Sequence, residues 1–119
     1  MPTFSSAWDR VTSERNSQLR AGQSPATSGN TELVAAVTGK RIKVVWVLMT
    51  NAGASNVSVK FQSATTDITL VHELASEGGG WSMNFLPGFY CQTVVGQALN
   101  VNLSGNVQVD VEVGYVLED

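Results

Sequence analysis

One histidine, one cysteine and a scatter of serines and acids are the residues of this chain able to do covalent or proton-transfer chemistry. A hydrolase built on His72 would need a nucleophile such as Ser58, Ser82 or Cys91 within hydrogen-bond reach, and a carboxylate to orient the ring. Glu73 follows directly, but consecutive residues of a strand point to opposite faces, so it cannot be that carboxylate if the segment is extended. No nucleophile elbow surrounds any of the three candidates. Structural zinc takes several His and Cys ligands from one chain, and this one has a single residue of each. The acids Asp67, Glu73 and Glu77 are scattered, and only a three-fold axis would gather them. Gly78-Gly79-Gly80 is not followed by the Lys-Ser/Thr of a phosphate loop, so it reads as a strand connector that places Trp81. Asn56-Val57-Ser58 and Asn102-Leu103-Ser104 match the glycosylation sequon and read as background, because MPTFSSAWDR has no secretory-signal character. The reading is therefore no enzyme, with no catalytic, cofactor-binding or metal-ligating residues.

The elements that must position these side chains announce themselves by period. Val107, Val109, Val111, Val113, Tyr115 and Leu117 alternate with Gln108, Asp110, Glu112, Gly114 and Val116, which places the apolar set on one face of a strand. From Thr31 onward, runs of this kind alternate with turn signals every eight to twelve residues. Strands are expected near 32–37, 41–50, 56–63, 67–74, 80–86, 89–94, 98–103 and 106–117. This predicts an all-β domain, an antiparallel sandwich of about eight strands, over residues 31–119. Alternation assigns the core to Ile42, Val44, Trp46 and Leu48; to Val57, Val59 and Phe61; to Ile68 and Leu70; to Trp81, Met83 and Phe85; and to Leu99, Val101 and Leu103. In the 41–50 strand the opposite face, Val45, Val47 and Met49, is apolar as well, so a second cover is expected there. These three residues are assigned to an oligomer interface.

Residues 1–30 differ in kind. They are rich in small and polar residues, with Phe4, Trp8, Val11 and Leu19 as the large apolar ones. Ser6 as N-cap and the spacing of Trp8, Val11 and Arg15 suit a short helix over about 7–20, and 21–30 reads as a connector. The expectation is an N-terminal arm, extended or short-helical, laid on a partner through Phe4, Trp8, Arg10, Arg15 and Arg20.

Only 14% of the 119 residues are charged against 43% hydrophobic, which suits a subunit with part of its surface covered. The net charge of −3 is divided unevenly. All seven Lys and Arg lie in positions 1–60, whereas seven of the ten acids lie in 61–119. Either the strands interleave and pair these charges within one chain, or a basic arm meets an acidic neighbour. An acidic second half argues against nucleic acid as a partner, and no apolar run approaches the ~20 residues that span a bilayer. A lone Cys91 excludes an intrachain disulfide. Aromatics around Phe89 and Tyr90 offer a carbohydrate platform as a minor reading.

GKRIKVVWVLM (39–49), NVSVKF (56–61), GGGWSMNFLPGFY (78–90), GQALNVNLSG (96–105) and VQVDVEVGY (107–115) together resemble small bacteriophage virion proteins with a jelly-roll-like sandwich, among them capsid decoration (cement) proteins. The resemblance covers about two-thirds of the chain. It implies a subunit that binds the major capsid protein on the outer capsid surface of the virion, is assembled in the host cytoplasm, acts as a homotrimer, and needs no cofactor, nucleic acid or membrane. The alternative it leaves is a tail or fibre component that recognises a receptor or glycan.

Overall fold

The computed structural model of the protein describes residues 18–119, and it is all-β, with two five-stranded antiparallel sheets packed face to face. The strands are β1 (Leu19–Gln23), β2 (Gly29–Val34), β3 (Arg41–Asn51), β4 (Val57–Ser63), β5 (Thr66–Asp67), β6 (His72–Leu74), β7 (Gly80–Asn84), β8 (Cys91–Gln92), β9 (Leu99–Leu103) and β10 (Val109–Glu118). One sheet runs β1-β10-β3-β7, with β8 pairing further along the same edge of β3; the other runs β2-β9-β4-β5, with β6 further along β4. The strands 57–63, 99–103 and 109–118 are those with the clearest alternation, and each puts its apolar face inward, whereas 41–51 is apolar on both faces.

Between the sheets lie Ile42, Val44, Val47, Met49, Val57, Val59, Phe61, Leu99, Val101, Leu103, Val109, Val111 and Val113, all essentially inaccessible to water. Fully burying side chains of this size contributes about 1.5–3 kcal/mol each, the main force holding the layers together.

Several expectations are corrected. Val47 and Met49, assigned to an oligomer interface, are core residues, and Val45 is also fully buried within the subunit. The cause is a bulge. Gly114 opposes Trp46 and Tyr115 opposes Val44, which leaves Val45 as an extra residue in β3. An extra residue reverses the facing of everything beyond it. Ile42 and Val44 therefore point inward before the bulge and Val47 and Met49 after it, while Trp46 and Leu48, expected in the core, turn to the outer face. Leu70 and Met83 are likewise exposed rather than buried. The expected strand 67–74 is split, because the 68–71 segment leaves the ladder between β5 and β6.

The sandwich also begins earlier than position 31. Leu19–Gln23 pairs with the outer edge of β10, from Leu19 opposite Tyr115 to Gln23 opposite Val111, and Gly29 and Asn30 open β2. The last residues of the expected helix are thus strand. Most of that helix, with Phe4, Trp8, Arg10 and Arg15, lies outside the described residues.

Candidate functional site

His72 and Tyr90 meet at one open side of the sandwich. β6 carries His72 at the edge of one sheet, and the segment between β7 and β8 carries Tyr90 at the edge of the other. His72 Nε2 and the Tyr90 hydroxyl share a 2.6 Å hydrogen bond that ties the two layers. Trp81 lies 4.8 Å from the His72 ring and 5.7 Å, edge-on, from Tyr90; Phe85 stacks on Tyr90 at 4.9 Å; Phe61 approaches Tyr90 edge-on from the core. Offset and T-shaped pairs of this kind add about 0.5–1.5 kcal/mol each beyond burial. Burial raises the Tyr90 phenol above its ordinary pKa, and a hydrogen bond from Thr69 works in the opposite direction. The indole N–H of Trp81 is buried without a hydrogen-bond partner among the described residues. The cluster is a plug that closes the sandwich.

The three candidate nucleophiles do not join His72 as a catalytic group. Its one polar side-chain partner among the described residues is Tyr90. Cys91 pairs with Val44 in the ladder and packs in the core, where burial pushes its thiol up to about 12. It therefore remains a neutral thiol near pH 7. Ser58 accepts a backbone hydrogen bond from Ser104 through its carbonyl, and Ser82 stands on the outer face of β7 opposite Leu48. Among the described residues no three His, Cys, Asp or Glu side chains converge into a metal-binding group. In the glycine run, a Cβ on Gly80 would strike the backbone of Met49, so the residue there must be small for β7 to pair with β3.

Four of the seven bases find acids of the second half of the chain within the described residues. Arg20 pairs with Glu112, Lys40 with Asp119, Lys43 with Glu118 and Lys60 with Asp67, each a base from the first half of the chain with an acid from the second. Arg20, expected to contact a partner, lies 3.7 Å from Glu112 with its side chain 70% exposed. The Asp67 carboxyl sits below its ordinary pKa chiefly because Gln62 hydrogen-bonds to it, with Lys60 adding to the effect; Lys40 lowers Asp119 in the same way. Lys43 is nearly buried, with its ammonium 3.2 Å from Glu118 and 4.9 Å from the ring centre of Phe89. Phe89 and Tyr90, considered as one carbohydrate platform, are therefore engaged separately, the first on Lys43 and the second in the plug.

The feature missed in the sequence is a groove on the outer face of the β1-β10-β3-β7 sheet. It encloses about 680 Å³ between Gln18 on one side and Ser82, Met83, Asn84 and Leu86 on the other, with Trp46 and Leu48 between them. Trp46 is seated over Gly114 of β10, which stands opposite it in the ladder. A Cβ there would fall almost on top of Trp46 Nε1, with Cδ1 and Cε2 only slightly farther away. Near-equal approach to three adjacent ring atoms means that the indole presents its face, not its N–H edge, to the strand. Trp46 thus lies flat across β10, in the space a side chain would otherwise take. Leu48 is 45% exposed beside it. The signal was Gly114 itself, the single glycine inside an otherwise fully substituted strand, since such a glycine often marks a close approach.

No known protein family, curated protein or solved structure matches the chain.

Proposed function

We propose that this protein is a structural subunit of a virion, a decoration protein that docks on the outer capsid surface as a homotrimer and braces the head mechanically. The observation that carries this reading is the set of large apolar side chains held out on connectors. Leu70 is 84% and Val71 56% exposed between β5 and β6, and Val94, 59% exposed, and Val95 follow β8. The core between the sheets is filled by other residues, so these four serve no packing role among the described residues. Exposed apolar groups carried on loops by a rigid scaffold are the usual form of a contact surface. They take the place of Val45, Val47 and Met49 as the oligomer or capsid contacts. The resemblance in segments 39–49, 56–61, 78–90, 96–105 and 107–115 supplies the virion setting. Small contacts repeated around a three-fold axis add by avidity, which suits attachment to a lattice.

The test is light scattering after size exclusion, followed by co-sedimentation with heads assembled from the capsid protein of the same genome. A trimer that sediments with heads, and a Leu70→Ser/Val94→Ser variant that keeps its melting temperature but loses sedimentation, would support the reading. A monomer that ignores heads would overturn it.

A further inference from the structure

The groove on the outer face combines a flat apolar surface with a neutral polar margin. One face of the Trp46 indole is sealed on Gly114, so the other borders the groove, with the exposed Leu48 beside it. Asn84 stands opposite Trp46 in the ladder and Ser82 opposite Leu48, so both side chains leave the same face of the sheet and flank the indole. Gln18 closes the other side. Asn84 Oδ1 accepts the Leu86 N–H at 3.0 Å, which fixes the carboxamide and leaves its two N–H donors free among the described residues. None of the described residues that line the groove is charged. Arg20, opposite Gly114 in the ladder, is paired with Glu112.

These features narrow the ligand by its chemistry. A phosphate or a charged peptide would find no unpaired opposite charge in the groove. A wholly apolar ligand would strip water from the Gln18 and Asn84 amides and the Ser82 hydroxyl without replacing their hydrogen bonds. A pyranose sugar answers both halves of the site. Its ring offers a face of C–H bonds to an aromatic plane, and its hydroxyls project from the rim, where they donate and accept. That face is least interrupted when the hydroxyls are equatorial, as in β-linked glucose and N-acetylglucosamine. A volume of about 680 Å³ falls within the ~300–1,000 Å³ usual for small-molecule sites and has room for more than one ring.

We propose that the groove binds a neutral oligosaccharide, with one pyranose ring stacked on Trp46 and its hydroxyls held by Asn84, Ser82 and Gln18. The aromatic platform is thus Trp46, not Phe89 and Tyr90, which Lys43 and the plug engage. The proposal does not depend on the capsid reading, whose contacts lie on the connectors.

The test is an NMR titration of the isotope-labelled full-length protein with cellohexaose and with chitohexaose, following the backbone amides of β3 and β7. At least one of the two sugars should shift the Trp46, Leu48, Ser82 and Asn84 signals saturably, with a dissociation constant of about 1 mM or below. The indole N–H of Trp81, in the plug, should stay in place. Trp46→Leu keeps an apolar side chain over Gly114 but removes the flat ring, and should weaken binding about tenfold or more. A Ser82→Ala/Asn84→Ala variant keeps the ring and should weaken binding several-fold, so the proposal stays open to refutation even if Trp46→Leu does not fold. Tripolyphosphate should leave the groove signals unmoved. The proposal is overturned if neither sugar shifts them at about 10 mM, if the folded variants bind as wild type does, or if tripolyphosphate moves them. It is overturned too if these signals shift on hundredfold dilution without sugar, because a second copy would then fill the groove.

Discussion

Replacing Gly114 by alanine isolates the contact on which the groove is built. The added methyl would occupy the position of the Trp46 indole, so the ring must lift from β10 or the strand must bend. Overpacking of this kind costs about 1–3 kcal/mol, and the contact is with a rigid ring rather than a flexible chain end, which argues for about 2 kcal/mol. The second half of the cycle reverses the sign. With Trp46→Ala in place the steric conflict is gone, and Gly114 has no positive φ for alanine to violate. Gly→Ala then stabilises by about 0.4–1 kcal/mol, because the unfolded chain loses freedom. The expected coupling between the two sites is therefore about 2.5–3 kcal/mol, well above the ~0.5 kcal/mol of independent sites. Urea titrations of the four proteins, read at the midpoint with the slope held constant, measure it. Lifting the ring should also shift the emission of Trp46 to the red. A Gly114→Ala protein as stable as wild type, or equally destabilised in both backgrounds, would refute the stacked geometry.

Asn51 is fully buried; its amide nitrogen donates to the carbonyls of Ser55 at 2.8 Å and Leu74 at 3.2 Å, and its oxygen accepts from the Gly53 N–H. Asn51→Leu orphans three backbone groups, two of them only part-buried, and should cost about 3 kcal/mol at the lower end of ~1–3 kcal/mol each; a loss under about 1 kcal/mol in urea would contradict this. Cys91 has its pKa raised in the folded state from 9.0 to about 12, so the stability this provides is whole below pH 9 and lost as pH rises from there toward 12. At pH 10 the loss is on the order of 1 kcal/mol, and Cys91→Ala should remove that part of the alkaline slope in chemical denaturation. Asp67 and Asp119 have their pKa values lowered by folding, so their contribution is present above the ordinary carboxylate range and is lost as pH falls through and below about 4. A thermal-melt series from pH 6 to pH 3 should decline less steeply for Asp67→Asn than for wild type.

The regular strands were legible because their period is carried by single residues: Val57, Val59 and Phe61, or Leu99, Val101 and Leu103, have polar neighbours that fix the phase. β3 was not legible in the same way. Val44 to Met49 is apolar at every position, so either phase satisfies the pattern, and the bulge at Val45 uses one phase at each end. β1 escaped notice because LRAGQ has one large apolar residue and becomes a strand through the backbone groups of β10 rather than its own propensity. The His72–Tyr90 bond and the Trp46–Gly114 stack join residues 18 and 68 positions apart, and no local pattern encodes such pairs. The charge division was visible, but which acid met Arg20, Lys40, Lys43 or Lys60 depended on strand order, which alternation does not carry.

That strand order also sets when the molecule can form. β10 lies between β1 and β3, and β1 has no other ladder partner in its sheet. During synthesis Leu19–Gln23 must therefore wait until Val109 and beyond have been made, roughly 4–17 s at ~5–20 residues per second. Until then β3, the most apolar strand of the chain, exposes the edge that β10 will take. A ribosome that stalls late, or a nonsense codon that removes β10, would release a product with half its layers unpaired and a sticky open edge. Such truncation products should aggregate rather than accumulate as smaller folded domains, and rapid completion of the chain becomes part of how the sandwich is obtained.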